Sequence, residues 1–131
     1  MRVKLPRGNA VVLALLRSPA HRLLSGLVIE LRYTGRRSGH GYVLPVQYAR
    51  AGDRLILWPQ DAQRTTWWRN FLTPQPVAVR LAGELYRGTA LTLDRNDSAW
   101  GEARRSYTSR WPRVARRVTG PLVEVSLIGE P

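Results

Sequence analysis

Leu27-Val28-Ile29-Glu30-Leu31-Arg32-Tyr33-Thr34, then Gly35-Arg36-Arg37-Ser38-Gly39, then Tyr42-Val43-Leu44-Pro45-Val46-Gln47-Tyr48-Ala49-Arg50, is the stretch that decides the fold. Leu27, Ile29, Leu31 and Tyr33 alternate with Val28, Glu30, Arg32 and Thr34, the period of two expected of a strand with one face on a core. A glycine-bracketed loop follows, and a second strand places Leu44, Val46 and Tyr48 on one face. Proline has no N–H to give a central strand, so Pro45 predicts an edge or a bulge. Ala51-Gly52-Asp53 reads as a hairpin turn and Arg54 to Trp58 as the third strand.

The same pattern continues outward. Val77 to Leu81 and Leu85 to Leu93 form a hairpin that turns at Ala82-Gly83, and Leu122 to Ile128 is a last strand. Gln63 to Leu72 reads as a short helix with Thr65 or Thr66 as N-cap, ended by Pro74 and Pro76. Asn96-Asp97 cap a helix that carries Trp100, Ala103 and Tyr107, and Pro112 opens a further helical turn through Val118. Upstream, Gly8 to Ser25 reads as a broken amphipathic helix. Val12, Leu16 and Leu23 lie near one stripe, and Ser18-Pro19 ends its first part. Its expected role is to pack on or beside the sheet; a peripheral contact with a membrane surface is left open. The fold class is therefore mainly β with short helices (α+β). About six antiparallel strands in a domain of this size are most economically closed into a barrel, which removes exposed edges. The 131 residues are read as one domain.

There is no cysteine, which rules out a disulfide framework, a thiolate zinc site and a cysteine nucleophile, and suits the cytoplasm. The seven-residue apolar run Ala10 to Leu16 is far shorter than the ~20 residues a membrane span needs. His21 and His40, the two histidines, are far apart and without ligand-like partners, so no metal site is expected. Twenty-one Lys and Arg against nine Asp and Glu give a net charge of +12. The excess is nearly all arginine, which suits planar oxyanions. A solvated surface and a polyanionic partner both fit this balance. Arg104-Arg105, Arg110, Arg113 and Arg116-Arg117 share that ambiguity. Nucleic acid is the least expected partner, because the arginines are scattered and no RNA-binding signature is present.

Chemistry concentrates in Tyr33-Thr34-Gly35-Arg36-Arg37-Ser38-Gly39. Glycines permit positive φ in a tight loop, and such a loop aims backbone N–H groups at an anion. Arg36 or Arg37 supplies a fork for phosphate or carboxylate and Ser38 a further donor. An ordinary turn with solvated charges is the competing reading.

Thr34-Gly35-Arg36-Arg37-Ser38-Gly39, Pro45-Val46-x-Tyr48 and Gly52-Asp53-Arg54-Leu55 continue into Trp67-Trp68-x-Asn70-Phe71, Val77-x-Val79-x-Leu81 and Gly88-Thr89-Ala90. In this order and spacing, over about Leu27 to Ala90, the chain resembles the deazaflavin-dependent nitroreductase family. The resemblance implies a split β-barrel of the flavin-reductase and PNP-oxidase type, with a deazaflavin, coenzyme F-420, in a groove; FMN is a less expected occupant. It implies that Arg36, Arg37 and Ser38 contact the anionic tail. Tyr42 and the strand Val43, Leu44, Pro45, Val46, Gln47 then run along the cofactor, meeting its ring partly through backbone groups. Trp58 and Gln60 line the phosphate side, and Thr66, Trp67, Trp68 and Asn70 close over the site. Tyr107 and Trp68 are the candidates for a pocket taking a small hydrophobic substrate. The implied activity is hydride transfer to a nitro compound, quinone or activated alkene, the protein supplying position and electrostatics. Tyr42 and Asp61 stand where the family commonly has basic residues. They motivate the alternative of a cofactor-free barrel that binds a hydrophobic metabolite or catalyses a non-redox step. A groove completed by a second copy, in a homodimer, is left open.

Overall fold

The computed structural model describes the backbone of Val3–Lys4 and residues 9–19, 21 and 26–128. In chain order the elements are β1 (Val3–Lys4), α1 (Asn9–Arg17), β2 (Val28–Thr34), β3 (Gly41–Ala51), β4 (Arg54–Leu57), a 3-10 helix (Trp67–Phe71), β5 (Gln75–Leu81), β6 (Glu84–Leu93), α2 (Trp100–Arg110), a second 3-10 helix (Pro112–Arg117) and β7 (Leu122–Ile128). Neighbouring strands run in the order β3-β2-β5-β6-β7-β4, and β4 pairs again with β3, so six strands close into an antiparallel β-barrel. The two-residue β1 adds in parallel at Gly41 and Tyr42.

Contacts group the chain into two compact units. The first comprises Met1–Gln47, Pro76–Gly88 and Ile128–Pro131; the second comprises Tyr48–Gln75 and Thr89–Leu127.

In the first unit the register sorts side chains onto two faces. Tyr33 lies opposite Tyr42, Leu31 opposite Leu44, Ile29 opposite Val46 and Glu30 opposite Pro45; on the other side Leu31 pairs with Val79 and Glu30 with Arg80. Directly opposed residues share a face. Ile29, Leu31 and Val79 are therefore together and fully buried, each worth about 1.5–3 kcal/mol. Val28, Glu30 and Arg32 lie on the reverse face with Val43, Pro45 and Arg80. Alternation predicts that this face meets water, but α1 covers it. Leu13 and Leu16 of α1 are buried against Val43, with Val12 and Val28 beside them. The helix thus packs on the sheet. Ser18 ends it, its hydroxyl donating to the Leu15 carbonyl at 2.8 Å. Leu23 and the rest of 22–25 lie outside the described residues.

In the second unit α2 packs on β4. Ala103 and Tyr107, four residues apart on one helix face, bury with Ala49, Ile56, Trp58, Leu93, Val118 and Leu122. Arg104 fixes the chain beyond α2 by donating to the carbonyls of Ala115 at 2.8 Å and Val118 at 3.0 Å. The expected helix over Gln63 to Leu72 is shorter, a five-residue 3-10 turn over Trp67–Phe71. Thr66 is its N-cap by position but makes no side-chain cap bond. The Thr65 hydroxyl instead donates back to the Asp61 carbonyl at 3.2 Å, which satisfies the turn before a longer helix can nucleate.

Candidate functional site

The loop after β2 is closed by its own backbone. Gly35 N–H donates to the His40 carbonyl at 2.8 Å and Gly39 N–H to the Gly35 carbonyl at 3.0 Å. Gly39 sits at φ +69°, a conformation that strains other residues. Arg36 and Arg37 are exposed at the loop tip. Beneath them Tyr42 stacks on Tyr33, ring centroids 5.4 Å apart and planes 17° from parallel. A side chain at position 35 would overlap the Tyr42 ring, so glycine is required there for space. Burial, with a smaller push from Tyr42, raises the Tyr33 hydroxyl to about 12.

Tyr42 also reaches Ser38, its hydroxyl 3.1 Å from Ser38 Oγ, while the His40 N–H donates to the same Oγ at 3.2 Å. A serine hydroxyl has one proton and two lone pairs. Either hydroxyl of the Ser38–Tyr42 pair can donate; when Tyr42 does, the Ser38 proton is left to face a ligand. Tyr42 thus supports the loop and supplies no charge. His40 Nδ1 is buried with no hydrogen-bond partner among the described residues.

The strand after the loop has one open stretch. In a closed ring each strand uses both edges. β3 gives one edge to β2 from Gly41 to Gln47, and on its other edge it meets β1 at Gly41–Tyr42 and β4 at Tyr48–Ala51. Residues 43–47 carry no strand on that second edge among the described residues. Pro45 sits in the middle of this stretch, where a missing N–H disrupts no ladder. With Pro45 on this open edge, strand alternation puts the backbone N–H and C=O groups of Val43 and Gln47 and the Pro45 carbonyl there, available to a planar polar partner, while Leu44 and Val46 turn theirs toward β2. The Val43 side chain is not available, because α1 covers it.

The remaining sequence-derived candidates lie in the second unit. Trp58 is 8% exposed within the core. Its ring meets Tyr107 edge-on at 6.1 Å, and the Arg117 guanidinium lies 5.5 Å from its centroid. Tyr107 is fully buried; burial pushes its hydroxyl up to about 12, and that hydroxyl has no partner among the described residues. Both rings are thus core residues here. Gln60 is exposed, and Asp61 turns the chain at φ +52°. Asp61 Oδ2 lies 3.6 Å from Arg64 Nε, with both side chains mostly in solvent, so this pair contributes little to stability. Trp67 packs edge-on against Phe71 at 6.4 Å, and Asn70 donates to the Trp67 carbonyl at 2.9 Å. Trp68 is held differently. Its indole N–H donates to the carbonyls of Ala62 at 3.1 Å and Thr65 at 3.0 Å, and Thr92 Oγ1 donates to its carbonyl at 2.6 Å. The fixed ring forms one wall of an open cleft of about 500 Å³ with Leu72, Leu91, Pro121 and Thr92, rimmed by Asp94, Arg95 and Asp97.

Sequence reasoning placed Glu30 on a polar face and gave it no role. It is fully buried, accepting from Arg17 Nε on one carboxylate oxygen and Arg32 Nε on the other, each at 2.7 Å. The signal was present as the one carboxylate of β2, two residues from an arginine; what was missing was the helix above it.

The fold defines the class: a split β-barrel. Solved structures agree. The chain is similar to a reductase dependent on F-420-H2 (FDR-A), with 16% identity and a TM-score of 0.63 over 76% of this chain and 93% of that one. It is also similar to a structure described as a domain-swapped dimer, with 15% identity and a TM-score of 0.67 over 92% and 96% of the two chains. A third similar structure is HutZ, the heme storage protein from Vibrio cholerae, with 9% identity and a TM-score of 0.62 over 86% and 91%. At such identities the likeness establishes the fold alone. No protein-family model and no curated protein matches the chain.

Proposed function

We propose that the chain is an oxidoreductase that holds a deazaflavin of the coenzyme F-420 type and passes hydride to a nitro compound, a quinone or an activated alkene. The observation that carries this reading lies within the first unit: the Arg36-Arg37-Ser38 loop leads directly into the strand whose 43–47 edge has no strand partner. The donor set suits the group. Arg36 and Arg37 offer forks to a phosphate or carboxylate tail, Ser38 offers a hydroxyl held in place by Tyr42, and the 43–47 edge offers backbone donors and acceptors to a flat heterocycle. The deazaflavin, when bound, supplies the hydride. The chain's own work is to bind and orient. The closed loop fixes where the tail is held, and Pro45 and its neighbours fix the ring's edge. In the second unit Trp68 presents a locked apolar ring at an open cleft, which suits a small hydrophobic substrate; Thr66, Trp67 and Asn70 serve the turn that carries it.

The test is the double variant Arg36→Ala/Arg37→Ala. Each lost charge-assisted hydrogen bond costs roughly 1.5–3 kcal/mol, so deazaflavin affinity falls by about two decades or more. Unchanged affinity rejects the tail site.

A second reading has its own observation. HutZ shares this fold, and His40, beside the arginine loop, keeps a buried ring nitrogen with no partner among the described residues. A protein repurposed for heme or another flat apolar ligand would use that imidazole. It predicts hemin binding that is lost in His40→Ala and indifferent to Arg36 and Arg37. We also propose a homodimer, prompted by the similar structure described as a domain-swapped dimer; a solution mass of one chain rejects it.

A further inference from the structure

We propose that Arg17, Arg32 and Arg80, gathered round the buried Glu30 in the first unit, form a second oxyanion site of phosphate type, separate from the Arg36–Arg37 loop. Arg17 Nε and Arg32 Nε each lie 2.7 Å from Glu30, and Arg80 Nε lies 3.6 Å from Oε2. Each contact runs through Nε. The terminal Nη atoms of Arg17 and Arg32 make no hydrogen bond to any described residue, and Arg80 Nη1 has only the Gly83 carbonyl at 3.4 Å. Arg80 Nε itself is buried with no hydrogen bond among the described residues.

Donors far outnumber acceptors. Each guanidinium carries five N–H groups, whereas one carboxylate has about four lone-pair sites. Three cations against one anion leave a formal excess of two positive charges at one spot on the sheet. Like charges held together raise the local potential and draw an anion in. The cluster is reachable: the side chains of Arg17, Arg32 and Arg80 are 44%, 40% and 22% exposed, while Glu30 is wholly covered. Glu30 therefore acts as the internal counter-ion that holds the three guanidiniums through Nε. A tetrahedral oxyanion takes several forks at once, which a planar carboxylate already engaged from below does not. Along β2, Glu30 lies four residues before Thr34, about 13 Å at strand rise, so the cluster and the loop are distinct.

The test uses the whole chain and inorganic phosphate, with chloride as control at the same ionic strength. Thermal midpoint and calorimetry are the readouts. The proposal expects a saturable, phosphate-specific rise in the midpoint. It expects Arg32→Gln to weaken phosphate by about tenfold or more and Arg36→Ala/Arg37→Ala to leave it unchanged. Glu30→Gln, which removes the counter-ion, tightens phosphate; a purely structural clasp predicts no gain. Arg80→Lys keeps the charge, loses the fork and weakens phosphate too, so the proposal stays testable if Arg32→Gln does not fold. Phenyl phosphate in a parallel arm separates a phosphate ester from free phosphate by its tighter or weaker binding. A midpoint rise equal to that with chloride, or one insensitive to both arginine variants, overturns the proposal. So does loss of the effect in the Arg36→Ala/Arg37→Ala variant, which would assign the anion to the loop.

Discussion

Replacing Gly35 with alanine puts a methyl carbon 2.6 Å from Tyr42 Cε2 and 2.8 Å from Ser38 Oγ, far inside the contact distance of about 3.5–4.0 Å. The Tyr42 ring must swing away. It then leaves its stack on Tyr33, worth about 0.5–1.5 kcal/mol, and its hydrogen bond to Ser38, worth about 0.5–1.5 kcal/mol. Both contacts are partly solvated, so the lower halves of these ranges apply, and residual overpacking adds about 1 kcal/mol. The expected loss is about 2–3 kcal/mol, or roughly 6–12 °C in Tm for a chain of this length. Urea and thermal unfolding of four proteins give the answer: the parent, Gly35→Ala, Tyr42→Ala and the double variant. Once Tyr42 is gone only the Ser38 hydroxyl, 2.8 Å away, has to shift for the methyl group, so Gly35→Ala costs at least about 1 kcal/mol less in the Tyr42→Ala background than in the parent. A full penalty in both backgrounds, or a Gly35→Ala protein as stable as the parent, refutes the claim that Tyr42 is packed over this loop.

Glu30→Ala strips the carboxylate from Arg17 and Arg32; because both guanidiniums reach water, the expected loss is about 2–4 kcal/mol by urea unfolding, below the full cost of orphaning a buried ion. Tyr107→Phe removes a hydroxyl that has no partner among the described residues, so stability is unchanged or rises by about 1 kcal/mol; a loss of that size would reveal a hidden partner. Tyr33 and Tyr107 both titrate near 12 instead of the ordinary 10.0. The neutral phenol is favoured in the folded state, so their contribution is complete below pH 10.0 and is lost as pH rises toward 12. An alkaline absorbance titration then shows these two ionising after ordinary tyrosines, and stability falling over the same window. Ala82 holds φ +52° in the Ala82-Gly83 turn, so Ala82→Gly relieves strain and raises Tm by the equivalent of about 0.5–1 kcal/mol.

Much of the barrel was legible because its strands obey the period of two. The strand boundaries at Arg54, Leu122 and Ile128 match the sequence reading because glycine and proline punctuate them, and that at Leu93 matches because the polar run Asp94-Arg95-Asn96-Asp97 follows it. Pro45 was legible as an edge for the same reason: a missing N–H constrains where a residue can sit. The second face of β2 was not legible. Alternation shows that Val28, Glu30 and Arg32 share a face, but not that α1 lies on it. Its buried pair is Leu13 and Leu16, which depends on how the helix is rolled. The 3-10 turn at Trp67–Phe71 was overread as a longer helix because the Thr65 bond to Asp61 is a local choice that propensity does not record. Trp58 and Tyr107 were assigned to a site by resemblance; their burial is a consequence of how α2 settles on β4. Tyr42 stood out as a departure in charge, and only its neighbours Tyr33, Gly35 and Ser38 show what it does instead.

The most direct test of the central claim is titration of the purified chain with oxidised coenzyme F-420, followed by tryptophan quenching, with FMN and hemin in parallel. The account predicts saturable deazaflavin binding, tighter than FMN and weakened by about two decades or more in Arg36→Ala/Arg37→Ala. No deazaflavin binding, or hemin binding that depends on His40 and ignores both arginines, contradicts it.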